Sequence, residues 1–100
     1  MEDYRLVEDV PSVEDYLKVR DAAVLSGKDV DAARTGLANT VFGVRVEKEG
    51  QVVGIGRIVG DGALFFEIVD IAVLPEHQGL GAMVMDALMA FLHENARSSA

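Results

Sequence analysis

Apolar residues near the start of the chain change from a short mixed run to a helical spacing. Residues 3–9 form the mixed run, which predicts a first strand. Ser12 can then cap a helix whose apolar positions recur three and four residues apart, and Gly27 is predicted to end it. Residues 29–37 predict a second, shorter helix with one of its leading aspartates as the cap.

Beyond these two helices the apolar positions alternate, which is the spacing of β-strands. Residues 41–47 and 52–59 alternate on either side of a glycine-containing turn at residues 48–51, so they predict a β-hairpin. A second turn at residues 60–62 precedes residues 63–74, the most apolar stretch of the three. Such a stretch is typical of a central strand that is buried on both faces.

The last part of the chain predicts a turn and a long helix. Pro75 ends the preceding strand, residues 76–82 form a polar turn with glycines, and residues 83–95 carry a broad apolar stripe suited to packing on a sheet. The element order is therefore β-α-α-β-β-β-α. We predict one α+β domain over residues 1–100, with a strand–turn–helix unit at residues 63–96.

Composition and charge narrow the classes of function. The 100 residues carry a net charge of −8, which disfavours nucleic-acid binding and mildly favours cationic partners such as amines. The chain has no cysteine, which excludes disulfides, thiolate nucleophiles and thiolate metal ligands. No apolar run approaches the length that spans a bilayer, and the N-terminus lacks the pattern of a signal peptide. We therefore expect a soluble, cytoplasmic protein without membrane contact.

The turn before the last helix has the chemistry of an anion site. A strand, a tight turn and a helix together aim backbone N–H groups and the positive end of the helix dipole at one point. Gly79 and Gly81 lie at this entrance, where a side chain would block the close approach of a phosphate. A glycine pair alone is a weak signal, because ordinary strand-to-helix turns also use glycine.

A longer stretch around this turn is more specific. Residues 69–81, VDIAVLPEHQGLG, resemble the fourth strand and acetyl-CoA loop of the GNAT family of N-acetyltransferases. That family carries the signature Arg/Gln-x-x-Gly-x-Gly/Ala, in which Gln78 fills the first position here and Gly81 the fourth. Met83 departs from the signature, because the family usually has glycine or alanine at the sixth position. The order of the other elements also resembles the family, so the resemblance covers essentially the whole chain.

The resemblance implies a mixed, mostly antiparallel sheet. It also implies acetyl transfer without metal from acetyl-CoA, as co-substrate, to a primary amine of a small molecule or a peptide. Backbone N–H groups of the fourth strand would align the pantetheine arm and the thioester, and the loop would hold the pyrophosphate. The matching residues are Ile71, Ala72 and Val73 on the strand, and Gln78, Gly79, Leu80, Gly81, Ala82 and Met83 in the loop.

Amine acetylation also needs a general base, because the amine must be neutral to attack. Glu67 and Asp70 are the acids on the apolar strand, and Glu67 resembles the position of the glutamate that serves as the base in several family members. Strand alternation places these two acids on opposite faces unless a bulge intervenes. The alternative is a structural carboxylate that pairs with Arg45 or Arg57 on the hairpin.

Other residues give weaker indications. His77 lies in the loop and either contacts phosphate or is solvated, the second being favoured, and His93 near the end of the last helix is interpreted as structural. The two histidines and the neighbouring acids have no metal-ligand spacing. Gly54 and Gly56 lie inside a strand with no helix behind them, so they predict a bulge or a close backbone contact instead of a nucleotide site.

Family members usually continue past this helix with further strands, and a tyrosine there often protonates the leaving thiolate. Here the tyrosines are Tyr4 and Tyr16, in the other half of the chain. The chain therefore resembles the coenzyme-binding part of the fold, as a fragment, as a domain completed by a partner chain, or as a degenerate module. The alternative function is a non-catalytic module that binds an acyl-CoA or a protein. A central strand without a neighbour exposes its edge, so we expect a homo-oligomer such as a dimer.

Overall fold

A computed structural model describes residues 3–23, 25, 28–77 and 79–95. Four strands and three α-helices follow one another in the predicted order β-α-α-β-β-β-α, which confirms the α+β class. The elements are β1 (Arg5–Val7), α1 (Val13–Ala22), α2 (Val30–Ala38), β2 (Phe42–Lys48), β3 (Gln51–Gly60), β4 (Phe66–Val73) and α3 (Leu80–Asn95). A 3-10 turn at Pro75–His77 joins β4 to α3.

Side-chain caps begin the first two helices. The Ser12 hydroxyl accepts a hydrogen bond from the backbone N–H of Asp15 at 3.1 Å, and the Asp29 carboxylate accepts one from Ala32 at 3.0 Å. Both caps satisfy N–H groups that a helix start leaves unpaired, which confirms Ser12 and selects Asp29 for the second helix. α1 ends at Ala22, and the predicted end at Gly27 falls outside the described residues.

Two tight turns set the strand registers. Glu49 and Gly50 join β2 to β3 with φ angles of 52° and 78°, the paired positive angles of a two-residue hairpin turn. In the β3–β4 turn, the Asp61 carboxylate accepts the backbone N–H groups of three residues, Ala63, Leu64 and Phe65, at 2.8, 2.8 and 3.0 Å. β4 therefore begins at Phe66 and not at residue 63, because those N–H groups serve the turn and not the strand ladder.

β4 lies at an edge of the described sheet. The strand order is β1-β2-β3-β4, and every neighbouring pair is antiparallel. Among the described residues β4 pairs with β3 alone, and Ala72 is the one residue of β4 that is buried. The prediction of a central strand does not hold for the described sheet, because apolar composition does not report how many strands a strand has as neighbours, but helices do pack on both faces of β4.

The helices cover both faces of the sheet. α1 packs against β3 and β4 on one face, and α3 packs across β2, β3 and β4 on the other. The α3 contact is close, because a Cβ added at Gly56 would lie 2.4 Å from Cγ1 of Val84 and 3.1 Å from Cδ1 of Leu88. The expectation of a close contact at Gly56 is confirmed. At the far end of α3, the Phe91 ring stacks on Phe42 with a centroid separation of 4.4 Å.

α3 begins three residues before the predicted start. Leu80 is already helical and is 1% exposed, although glycines flank it on both sides. Burial of this leucine against the sheet outweighs the low helix propensity of Gly81, so the glycine turn is shorter than predicted. Among the described residues, no helix is both long and apolar enough to cross a membrane.

We expect Gly56→Ala to destabilise the protein, because the new methyl group overlaps the β-branched side chain of Val84. Overpacking of this kind costs about 1–3 kcal/mol, measurable as a lower free energy of unfolding in urea. Gly36→Ala in α2 is the matched control, because its Cβ would meet Nη2 of Arg57 at an ordinary 3.7 Å. The control should be neutral or stabilising, by up to about 1 kcal/mol. Equal effects of the two substitutions would contradict the close packing of α3.

Candidate functional site

A β-bulge interrupts β4 at its centre. Ile55 pairs with Ala72 and Arg57 pairs with Val69, so the two residues Asp70 and Ile71 together lie opposite Gly56. Asp70 has a φ of 58°, in the left-handed region that aspartate tolerates better than most residues. An extra residue of this kind leaves the ladder locally unpaired and re-aims the neighbouring side chains.

The bulge brings Glu67 and Asp70 to the same face of the sheet. Glu67 lies opposite Val59, two residues from Arg57 on the same face, and Asp70 contacts Arg57 directly. Regular alternation would have placed the two acids on opposite faces. The prediction allowed for a bulge, and the bulge is present. The shared face is the one covered by α1.

Asp70 is the centre of a buried ionic cluster. Its carboxylate accepts hydrogen bonds from the Tyr16 hydroxyl at 2.8 Å, from Nε of Arg57 at 2.7 Å, and from Nη1 of Arg20. The Asp70 side chain is 9% exposed and the Arg20 side chain 8%. Nη1 of Arg57 also donates to the carbonyl oxygen of Gly36 at 3.0 Å and to Oγ1 of Thr40 at 2.9 Å. The cluster therefore links β4 to α1, to β3 and to the end of α2.

The cluster keeps Asp70 ionised. Burial alone would raise the pKa of Asp70, but hydrogen bonds from Arg57 and Tyr16 and the charges of Arg57 and Arg20 outweigh it and lower the pKa below its ordinary value. Burial, followed by the hydrogen bond to Asp70, raises the pKa of Tyr16. A carboxylate held in this way accepts a further proton poorly, so the pairing with Arg57 makes Asp70 the weaker candidate for a base.

Sequence reasoning missed Tyr16 and Arg20 as partners of Asp70. A usable signal was present, because the two residues are four apart on α1 and therefore share one helical face. A charged residue on the face that carries the core residues Tyr16 and Val19 needs a buried counter-charge. Arg45, the other partner considered for the acids, pairs instead with Glu47 through its Nε at 2.7 Å.

Glu67 has different surroundings. Its side chain is exposed and lines a surface cavity of about 350 Å³ together with Val59, Gly60, Phe65 and Phe66. The structure thus places both predicted acids on one face, but it gives them distinct environments. Asp70 is buried and paired, whereas Glu67 borders solvent and an apolar cavity.

The glycine turn presents an open surface at the start of α3. Gly79 has a φ of 97°, and a Cβ added at Gly79 or Gly81 would meet no heavy atom of the described residues within 4 Å, apart from its chain neighbours and its own helix backbone. Ala82 is exposed beside them, whereas Leu80 is buried and Met83 packs against the core. The Met83 side chain therefore occupies the core side of the helix and not this open surface. Gln78 lies outside the described residues.

A contact between Tyr4, which directly precedes β1, and the 3-10 turn holds the residues that precede this surface. A hydrogen bond of 2.8 Å joins the Tyr4 hydroxyl to Nδ1 of His77, and the two rings meet edge-on with centroids 5.6 Å apart. Nζ of Lys48 lies 4.9 Å from the centre of the Tyr4 ring. His77 is thus half-buried against Tyr4 and is not freely solvated. Within the described part of the chain, no three His, Asp or Glu residues are placed to hold a metal ion.

Comparison with known proteins adds independent information. Residues 10–99 match the model of the acetyltransferase (GNAT) family. A protein of unknown function from methicillin-resistant Staphylococcus aureus, described as a probable acetyltransferase, is 36% identical with a TM-score of 0.91. That match covers 97% of this chain and 74% of the other. No curated protein sequence matches the chain significantly.

Two more distant structures share the fold. A GNAT family protein from Streptococcus pneumoniae is 22% identical with a TM-score of 0.77, over 95% of this chain and 75% of the other. A GNAT family acetyltransferase from Brucella melitensis, solved in complex with acetyl-CoA, is 19% identical with a TM-score of 0.69, over 91% of this chain and 69% of the other.

We expect Asp70→Asn to destabilise the protein by about 3–5 kcal/mol at neutral pH, because it leaves buried guanidinium charge without its counter-charge. The pKa of Asp70 is lower in the folded protein than in the unfolded chain. Its contribution is therefore complete above the unfolded pKa of about 3.9 and is lost as the pH falls through the folded pKa. Urea unfolding from pH 7 down to pH 3 should show an acid loss of stability that is smaller in the variant.

The matched control is Asp31→Asn, which breaks an exposed pair with Arg34 whose side chains are 87% and 64% exposed. Exposed pairs of this kind contribute about 0–1 kcal/mol, so the control should stay close to the parent at every pH. A similar acid dependence in the parent and in Asp70→Asn would show that the cluster does not govern acid stability.

Proposed function

Because the chain belongs to the GNAT acetyltransferase family, we propose that it transfers an acetyl group from acetyl-CoA to a primary amine. The observation that carries this proposal is the bulge in β4, placed directly before the glycine turn and α3. The bulge takes Asp70 and Ile71 out of the regular ladder, and the open edge of β4 offers further backbone donors and acceptors. Such groups suit the alignment of an extended acyl arm and its thioester at Ile71, Ala72 and Val73.

The start of α3 fits the pyrophosphate of the co-substrate. Gly79 and Gly81 leave room for close approach, and the first N–H groups of α3, up to Met83, have no partners within the helix. Buried Leu80 fixes this end of the helix against the sheet. The Brucella melitensis relative was solved with acetyl-CoA, which supports the assignment of the same co-substrate here. Gln78 and Ala82 complete the proposed loop.

Glu67 is the proposed general base. It is accessible, and the arginines of the cluster pair with Asp70. It lies three residues before the bulge, roughly 10 Å along an extended strand. An amine placed between Glu67 and the bulge would lose its proton to Glu67 through water. Its nitrogen would then form the amide bond as the thioester C–S bond breaks, and the CoA thiolate would leave and take up a proton. Asp70 acts in this scheme by holding the bulge.

The non-catalytic alternative has one observation in its favour. Each tyrosine hydroxyl of the chain is engaged in a hydrogen bond, that of Tyr16 with Asp70 and that of Tyr4 with His77. The Tyr16 hydroxyl would have to give up its hydrogen bond to Asp70 before it could protonate a leaving thiolate. A chain that binds acyl-CoA and shows no turnover with any amine would support this alternative. Cytoplasmic location and self-association through the β4 edge stay predictions.

We expect the parent chain to bind acetyl-CoA and the Gly81→Trp variant to lose that binding, as measured by isothermal titration calorimetry. Within the described part of the chain, a Cβ at Gly81 has open space around it, so the indole should obstruct the ligand surface without disturbing the core. Met89→Trp, at an exposed position on the same helix, is the control and should bind as the parent does. Absence of binding by the folded parent would refute the proposed function.

We expect Glu67→Gln to lower kcat by about 10²–10⁴-fold and to leave the Kd for acetyl-CoA unchanged, because it removes the base and no coenzyme contact. Release of the CoA thiol in the presence of a panel of primary amines measures turnover. The control is Glu49→Gln in the exposed hairpin turn, which should retain the parent rate. An unchanged rate in Glu67→Gln would remove Glu67 from the mechanism.

A further inference from the structure

The cavity beside Glu67 has an unusual lining for an exposed surface. Phe65, which lines it, is 71% exposed, although large apolar side chains of this kind are normally covered; Leu64, outside the lining but in the same turn, is 51% exposed. Phe65 and Phe66 line the cavity, Val59 and Gly60 complete its apolar wall, and Glu67 is the one ionisable residue among the lining residues. Its volume of about 350 Å³ falls at the lower end of the range for small-molecule pockets.

The turn that presents Phe65 is built with a fixed geometry. Three backbone N–H groups, ending with that of Phe65, converge on the Asp61 carboxylate, and they lower its pKa. Gly60 has a φ of 145°, and a Cβ there would lie 1.9 Å from the carbonyl oxygen of Phe65. The backbone that carries the exposed phenyl ring is therefore fixed before any ligand arrives, which lowers the ordering cost of binding.

The position of the cavity relates it to the proposed chemistry. Glu67 lies between Phe65 and the bulge along β4, so a ligand with its nitrogen toward the bulge would lay its remaining atoms along the cavity, against Phe65. The single carboxylate of the lining can pair with one ammonium group. A second cationic group on the ligand would face the phenyl rings with no acid among the lining residues to pair with it.

We infer that this cavity receives the acceptor, and that the acceptor is a monocationic primary amine on an apolar body, such as an alkylamine or arylalkylamine. The inference rests on the proposed acetyl transfer and deepens it by naming the substrate class. It separates this class from polyamines and aminoglycosides, which the net charge of the chain alone would attract more strongly. Phe65 is the specificity-determining residue, because it supplies apolar contact without touching the reacting atoms.

The first test is binding without turnover, by amide chemical shifts of the 15N-labelled chain. Hexylamine should shift the amides of Gly60, Phe65 and Glu67, whereas hexanol, which lacks the ammonium group, should not. 1,6-Diaminohexane has the same chain and one more charge, and it should bind at least about tenfold more weakly. Shifts confined to other regions, or equal affinity for hexylamine and 1,6-diaminohexane, would overturn the inference even if acetyl-CoA binds as proposed.

The second test is turnover over the series ethylamine, butylamine and hexylamine with acetyl-CoA. kcat/KM should rise about two- to fourfold for each methylene that enters the apolar wall. Phe65→Ala should flatten this rise and leave the Kd for acetyl-CoA unchanged. Leu64→Ala is the matched control, because Leu64 belongs to the same turn and is exposed but does not line the cavity. A rise that survives Phe65→Ala would overturn the inference.

The outcomes separate this inference from the proposed function. If the parent chain does not bind acetyl-CoA, the proposed acetyl transfer is refuted. If it binds acetyl-CoA but prefers diamines as acceptors, only the inferred acceptor class is refuted. A second copy of the chain is the competing occupant of the cavity. In that case the amides of Gly60, Phe65 and Glu67 would shift with protein concentration in the absence of amine, and Phe65→Ala would abolish the concentration dependence; this result would also overturn the inference.

Discussion

The burial of one carboxylate, that of Asp70, constrains most of this structure. An ionised group at 9% exposure is tolerated only with charged and hydrogen-bonding partners, and here Tyr16, Arg20 and Arg57 supply them. Because these partners come from α1 and β3, and Arg57 also reaches the carbonyl of Gly36 in α2, the cluster fixes how α1 and α2 lie against the sheet. The same contacts hold the left-handed backbone of the bulge, which would otherwise be strained.

On the opposite face of the sheet, α3 is held by close packing against the strands and not by charge. The lack of a side chain at Gly56 lets Val84 and Leu88 of α3 approach the backbone of β3 at the bulge. Strand, bulge and helix therefore meet at one point, and the short 3-10 turn between them places the start of α3 beside the end of β4. The proposed acyl and pyrophosphate positions are neighbours because of this packing.

Periodicity predicted the elements well, since alternation and helical spacing are properties of each segment by itself. The exceptions have physical causes. Residues 63–65 serve the Asp61 turn, β4 is an edge among the described strands, and α3 begins at Leu80 because burial outweighs glycine propensity. At the site, local sequence indicated Glu67 and the glycine turn. It did not show the partners of Asp70, since contacts across 50 and 54 residues depend on how the elements pack.

The bulge also decides which side chains of β4 lie on which face of the sheet. Phe66, Ile68, Ile71 and Val73 share the α3 side of β4, whereas Glu67, Val69 and Ala72 share the α1 side with Asp70. Removal of Asp70 alone would join Val69 to Ile71 and restore perfect alternation on both sides. The alternation of side chains along β4 therefore does not depend on this residue. β4 is a regular strand with one residue inserted, and the insertion serves what lies beside the sheet: the ionic cluster and the backbone geometry of the proposed site.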